Sequence, residues 1–158
     1  MSHIKIQPAN ALDFIAIAAL DRIAWKEGPE SEFIPDGEHV WRVWTEHALT
    51  FIARDNYGDL IGVVLAFSTV RHGYCLHKIM VVKKHRNQGI GAKLLTALLA
   101  AIDSENASCF LTVSPANHDA LKLYRQRGFT QEEFHVGYYR ATEDRFLLTR
   151  PRNERNSR

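Results

Sequence analysis

The run Arg86-Asn87-Gln88-Gly89-Ile90-Gly91 has the spacing R-x-x-G-x-G, and it stands where a strand-like segment gives way to a long apolar helix. Residues of these types at a helix start bind anions. Glycine has no Cβ, so the backbone can bend tightly and approach a ligand closely. The first N–H groups of a helix have no intrahelical acceptor, and the helix dipole adds about 0.3–2 kcal/mol per anionic contact. The backbone from Gln88 to Ala92, with the Arg86 side chain beside it, therefore reads as a phosphate or pyrophosphate cradle. Neither the G-x-G-x-x-G of dinucleotide sites nor the G-x-x-x-x-G-K-[ST] of nucleoside triphosphate sites occurs. The plainer reading is that Gly89 and Gly91 only open a packed helix.

The elements that must position this turn follow from periodicity. The pattern predicts a strand over His3–Gln7, a break at Pro8 and an Asn10-capped helix over Ala11–Trp25, with Leu12, Ile15, Ala19 and Ile23 on its inner face. A polar loop, Lys26–Pro35, leads to a second helix, Gly37–Ala48. Its apolar side is Val40, Trp41, Val43 and Trp44. Strands are expected at Leu49–Arg54, Leu60–Val70 and Tyr74–Val82, with Asp55–Asp59 turning a hairpin. The long helix runs Gly89–Ser104, followed by a strand at Cys109–Ser114 and a helix at Asn117–Arg127 closed by Gly128. Two further strands are expected, at Phe134–Arg140 and Arg145–Arg150. The order β-α-α-β-β-β-α-β-α-β-β is a mixed α/β domain around a mostly antiparallel sheet, with one parallel crossover through the Gly89 helix.

A chain of 158 residues buries roughly 70% of its unfolded surface and holds a core without metals or disulfides. Residues 1–150 read as a single domain and 151–158 as a basic, disordered tail. The stretch Arg150–Arg158 holds four arginines and one glutamate, so the net charge of +2 leaves −1 for the rest. A near-neutral body argues against a nucleic-acid binder. No signal peptide is read at the start, and no apolar run is long enough to span a membrane. Cys75 and Cys109 lie in apolar runs without zinc or disulfide spacing, and they read as buried, reduced thiols of a cytoplasmic protein. The eight histidines form no metal motif. A covalent route through Cys75, which shares a strand face with His77, would need an activating base.

A second run, Asn117-His118-Asp119-Ala120-Leu121-Lys122-Leu123-Tyr124 followed by Arg125-Gln126-Arg127-Gly128-Phe129, has the form N-x-x-A-x-x-L-Y-x-x-x-G-F. Together with R-x-x-G-x-G after Val81-Val82 and the element order over residues 3–150, it resembles the GNAT superfamily of acyl-CoA-dependent N-acyltransferases. The resemblance implies a GNAT fold, with a twisted sheet of about six to seven strands flanked by about four helices and splayed between strands four and five. It implies acetyl-CoA as co-substrate, without a metal, and an N-acetyltransferase that moves acetyl directly to a primary amine in a ternary complex. The acceptor is a small amine or a protein or peptide amine. A homodimer is a family expectation.

The same resemblance distributes roles. The cradle, Arg86, Asn87, Gln88, Gly89, Ile90, Gly91 and Ala92, would take the pyrophosphate. The strand end, Met80, Val81 and Val82, would pair with pantetheine and supply an oxyanion N–H. Asn117 and Tyr124 would complete the cofactor site, with Tyr124 as acid for the leaving thiolate, its reference pKa of about 10 being near a thiol's. Many relatives carry a glutamate on the key strand as base. Here the stretch is Leu76-His77-Lys78-Ile79, so His77 is the candidate, and strand alternation puts Lys78 on the opposite face. Glu27, Glu30 and Glu32 beside Phe33 are candidates for holding a cationic amine, with a solvated loop as the plainer reading. Tyr138-Tyr139, expected in the strand after the second motif, resembles the tyrosine pair of protein N-terminal acetyltransferases. The missing strand carboxylate leaves one alternative, a non-catalytic acyl-CoA-binding or sensing module on the same fold.

Overall fold

The computed structural model describes residues 3–27, 34–71 and 73–153. The strands are β1 (Lys5–Pro8), β2 (Leu49–Arg54), β3 (Leu60–Ser68), β4 (Tyr74–Val81), β5 (Cys109–Val113), β6 (Gln131–His135) and β7 (Arg145–Arg150). The helices are α1 (Phe14–Glu27), α2 (Glu38–His47), α3 (Ile90–Ser104) and α4 (His118–Gln126). The strand order is β1-β2-β3-β4-β5-β7-β6. The β1–β2, β2–β3, β5–β7 and β6–β7 ladders are antiparallel, and β4–β5 is parallel. That parallel ladder has two register pairs, Tyr74↔Cys109 and Cys75↔Phe110. The mixed, mostly antiparallel architecture with one parallel crossover is the one the sequence implied.

The chain divides into two compact units, one of residues up to Phe67 with His77–Leu99, the other of Ser68–Leu76 with the chain from Ala100 onward. In the first unit, Ile17, Ala18 and Leu20 of α1, Trp41 of α2, Ile52 of β2 and Val63 and Leu65 of β3 form a buried core, with Trp44, Met80 and Val82 packed against it. On the other face of β3, the Gly62 position admits α3: a Cβ there would lie 3.0 Å from Leu94 Cδ1 and 3.1 Å from the Met80 carbonyl. Asn10 starts the first helical segment through a capping box with Asp13. In the second unit, Cys109, Leu111 and Val113 alternate inward along β5 and are buried with Leu121, Tyr124, Phe129 and Leu148. Arg150 closes that unit with a bidentate pair to Asp103 and a bond to the Arg127 carbonyl.

Three expectations are corrected. Leu12, Ile15 and Ile23 are exposed, and α1 buries Ile17, Ala18, Leu20 and Asp21 instead. The helix is apolar on nearly every side, so periodicity could not choose a face, and the chosen face carries a charge. Cys75 is only half-buried, although Cys109 is buried. The sixth strand is Gln131–His135, so Tyr138 and Tyr139 stand in the turn before β7.

Candidate active site

The first unit carries the glycine turn. Val82 donates its N–H to the Ile61 carbonyl at 2.9 Å, and a 3-10 turn over Lys83–His85 follows. Asn87 and Gly89 take φ of 60° and 75°, the left-handed region. Asn tolerates it, and Gly takes it freely. The Lys93 N–H donates to the Gly89 carbonyl, so the amides of Ile90, Gly91 and Ala92 lie ahead of the first bond of α3. No described atom lies within 4 Å of a Cβ built at Gly89, and one at Gly91 meets only Ile79 and Val81, at 3.9 and 4.0 Å. The turn is thus open above a run of main-chain donors that have no partner among the described residues, the shape a pyrophosphate fits. Backbone conformation, not packing, demands Gly89, and neither requirement falls on Gly91. Arg86 turns back: its Nε donates to the Val81 carbonyl at 2.9 Å and its Nη2 lies 3.6 Å from Glu27. It braces the turn.

The Val82 contact fixes which groups of β4 face which way. Val82 N–H and the Met80 carbonyl both address β3, so the pleat turns the Val81 amide to the opposite edge. The Val82 N–H is committed to Ile61 and is not a donor for pantetheine or an oxyanion.

Further along β4, His77 and Lys78 converge. Lys78 Nζ lies 2.9 and 2.7 Å from the two oxygens of Asp21 and 2.6 Å from Asp36 Oδ2. His77 Nε2 stands 3.3 Å from the same Asp36 oxygen, and its ring lies against Trp44 (5.0 Å) and Phe67 (5.8 Å). Strict alternation would have put His77 and Lys78 on opposite faces. Lys78 shares its side with Met80 and Val82, which pack on the core beneath α1 and α2, and the His77 ring joins that side through Trp44 and Phe67. Both side chains nevertheless reach the same Asp36 oxygen. Asp21 is 3% exposed and saturated: it also accepts from Trp41 Nε1 at 3.0 Å and from the Asp36 N–H at 2.9 Å. Burial works against ionisation of Asp36, but the Lys78 bond and charge, aided by His77, outweigh it and hold the carboxyl below its ordinary value. With His77 neutral, the cluster of Asp21, Asp36 and Lys78 carries −1.

Of the predicted acceptor residues, Glu27 is paired with Arg86, and Glu30, Glu32 and Phe33 lie outside the described residues. The acidic group that meets His77 is Asp36, to which Asp21 is joined through Lys78; sequence reasoning missed both. Asp21 was hidden inside an apolar helix, and Asp36 looked like a polar residue ahead of a helix.

The second unit holds the other motif. Asn117 caps α4, its Oδ1 accepting from the Ala120 N–H at 3.2 Å. Tyr124 is 6% exposed and stands edge-on to Phe129 at 5.6 Å. Its carbonyl accepts from the N–H groups of Arg127 and Phe129, which fastens the helix end. Burial, followed by the charge of a Cys109 thiolate, pushes the Tyr124 hydroxyl up to about 12, well above the value the sequence suggested. Burial likewise pushes the Cys75 thiol up to about 11 and Cys109 up to about 12. Both are held as neutral thiols, unsuited to nucleophilic attack. Tyr139 bonds Thr112 through its hydroxyl at 2.6 Å, and Tyr138 stacks edge-on against it at 4.8 Å.

The comparisons agree with these motifs. The chain is 28% identical to an N-alpha-acetyltransferase of Sulfurisphaera tokodaii, covering 93% of this chain and 92% of that one. Its fold matches a structure of the NatC complex bound to Gag peptide and CoA (TM-score 0.78, 24% identity, 96% and 99% of the two chains). It also matches a diaminobutyrate acetyltransferase of Paenibacillus lautus in complex with its substrate and coenzyme A (TM-score 0.74, 20% identity, 98% and 99%). At these identities the two structures report the fold alone. The sequence model of the acetyltransferase (GNAT) family matches residues 17–129, a span that takes in both the glycine turn and Tyr124. The chain is therefore a member of the GNAT acetyltransferase family, an acyl-CoA-dependent N-acetyltransferase.

Proposed function

We propose that this protein acetylates the α-amine of a peptide or protein N-terminus, by direct attack on acetyl-CoA in a ternary complex. The main-chain donors from Gln88 to Ala92 hold the pyrophosphate. The Val81 amide, on the edge of β4 away from β3, pairs with pantetheine and donates to the oxyanion. Asp36 receives the acceptor's ammonium, and His77 takes its proton. The amine lone pair then attacks the thioester carbonyl, the nitrogen gives up its second proton to water, the C–S bond breaks, and the thiolate leaves under a hydrogen bond from Tyr124.

The observation that carries this reading is the Asp36–His77 pair at 3.3 Å. It answers the missing strand carboxylate with a base of moderate strength. An α-amine, with a pKa near 8, needs about 1 kcal/mol to be deprotonated at neutral pH, whereas a lysine amine near 10.4 needs roughly 4–5 kcal/mol. Imidazole suits the first task. The N-alpha-acetyltransferase relative supports the same acceptor, and the two free cysteines support a reducing, cytoplasmic setting.

The test is thiol release from acetyl-CoA with a peptide bearing a free N-terminus, the same peptide N-blocked but carrying a lysine, and small diamines. Turnover of the free N-terminus is expected, falling about 100-fold in His77→Gln. Preferential turnover of the blocked lysine peptide or of a diamine would reject this acceptor.

A further inference from the structure

We infer that Lys78 is a charge-tuning residue of the acceptor end: it cancels one of two closely spaced carboxylates, so that an ammonium bound at Asp36 can still give up its proton. This rests on the reading of the Asp36–His77 pair as the place where the acceptor is deprotonated.

Two features set Lys78 apart from a packing residue. Its ammonium contacts both Asp21 and Asp36 within 2.9 Å while its side chain is 21% exposed. Lys78 satisfies the buried Asp21, but a buried ion cluster contributes little net stability compared with apolar residues of similar volume, so stability alone does not account for three charges at this place. The second feature is the partial exposure of Asp36. Its Oδ2 takes both Lys78 and His77, and its side chain is still 27% exposed, within reach of a further cation.

Among the described residues, three charged groups are linked to His77. The segment before α2 contributes Asp36, β4 contributes Lys78 and, behind Lys78, α1 contributes Asp21. The rings of Trp44 from α2 and Phe67 from β3 complete the surroundings without charge. An arriving ammonium brings this −1 cluster to zero. Without Lys78 the same site would carry −2. It would bind the cation more tightly and make the bound ammonium slower to give up its proton, because an anion nearby favours the protonated form. Tighter binding and slower chemistry would result, because the ground state is stabilised and the transition state is not.

The test is a charge series read on the acid limb of kcat against pH, with a saturating free-N-terminus peptide. Lys78→Met (−2) should lower KM for the peptide, lower kcat at pH 7 about tenfold and move the limb up by about one pH unit. Asp21→Asn (0) should move the limb down and raise KM. The double variant Asp21→Asn/Lys78→Met restores −1 and should restore the wild-type limb. Lys78→Arg should keep it. A limb that stays put across the series, or a double variant that behaves like Lys78→Met, overturns the inference. Where Lys78→Met fails to melt like the wild type, Asp21→Asn and the double variant carry the same decision. The underlying reading fails separately, through His77→Gln and Asp36→Asn: if neither lowers kcat or alters the limb, the acceptor is deprotonated elsewhere.

Discussion

Replacing Tyr124 by Phe removes one oxygen from the second unit and leaves the edge-on contact with Phe129 at 5.6 Å in place. The hydroxyl is pushed up to about 12, chiefly by burial. A thiol titrates near 8.5, roughly 3.5 units lower, so complete proton transfer from this tyrosine to a thiolate is uphill by about 5 kcal/mol. In the mechanism proposed above, Tyr124 would therefore assist as a hydrogen-bond donor to the sulfur as charge develops there, and the proton would reach the thiolate later from water. A hydrogen bond to a charged group contributes about 1.5–3 kcal/mol. Tyr124→Phe should accordingly lower kcat roughly 10- to 150-fold and leave the acetyl-CoA KM nearly unchanged, since the bond strengthens only as the C–S bond breaks. A second consequence concerns pH: ionisation of Tyr124 should give the wild type no basic limb in kcat near pH 10. The assay is thiol release at saturating acetyl-CoA and acceptor from pH 6 to 10.5, with melting curves alongside. A loss of several thousandfold in the mutant, or a wild-type basic limb near pH 10 that vanishes with the hydroxyl, would refute a donor role limited to hydrogen bonding.

Two further expectations follow from positions with a defined local environment. Gly89 needs its φ of 75° and has open space around it, so Gly89→Ala should fold with a loss of about 1–2 kcal/mol and raise the acetyl-CoA KM at least tenfold. Gly91→Ala, in ordinary contact with Ile79 and Val81, should keep its activity and melt no lower than the wild type. Equal damage from both substitutions would show that the turn is not read through its backbone at Gly89. The second expectation is alkaline instability. Cys109 and Cys75 are raised from 9.0 to about 12 and about 11, and Tyr124 from 10.0 to about 12, so above pH 9 the folded state keeps protons that the unfolded chain releases. The stability they contribute is complete below about pH 9 and is lost as pH rises toward 11–12. The melting temperature should fall steadily above pH 9, and Cys109→Ala should flatten part of that slope. A flat melting temperature from pH 8 to 11 would contradict it.

The sequence by itself determined the local pieces, because each is written in neighbouring residues. Asn10 and Asp13 form their capping box, Asn117 caps α4, Gly128 closes it at φ 91°, and the turn from Arg86 to Gly91 opens α3. Period-two strands around a period-3.6 helix also sufficed for the one parallel crossover. Tertiary structure decided what depends on distant partners. Composition could not say which side of α1 is buried, since nearly all of it is apolar, and the answer turned on Asp21, a residue that a hydrophobic pattern excludes. Its burial is tolerable only because Lys78, Trp41 and the Asp36 amide, 57, 20 and 15 positions away, satisfy it. The cluster of Asp36, His77 and Lys78 was illegible for the same reason. Alternation separates His77 from Lys78, yet in the fold both reach one carboxylate, that of Asp36. Glu27, the acidic residue that looked available, is held by Arg86. A charge in a sequence is a free ligand until the fold gives it a counter-ion, and long-range pairing is what one-dimensional patterns do not encode.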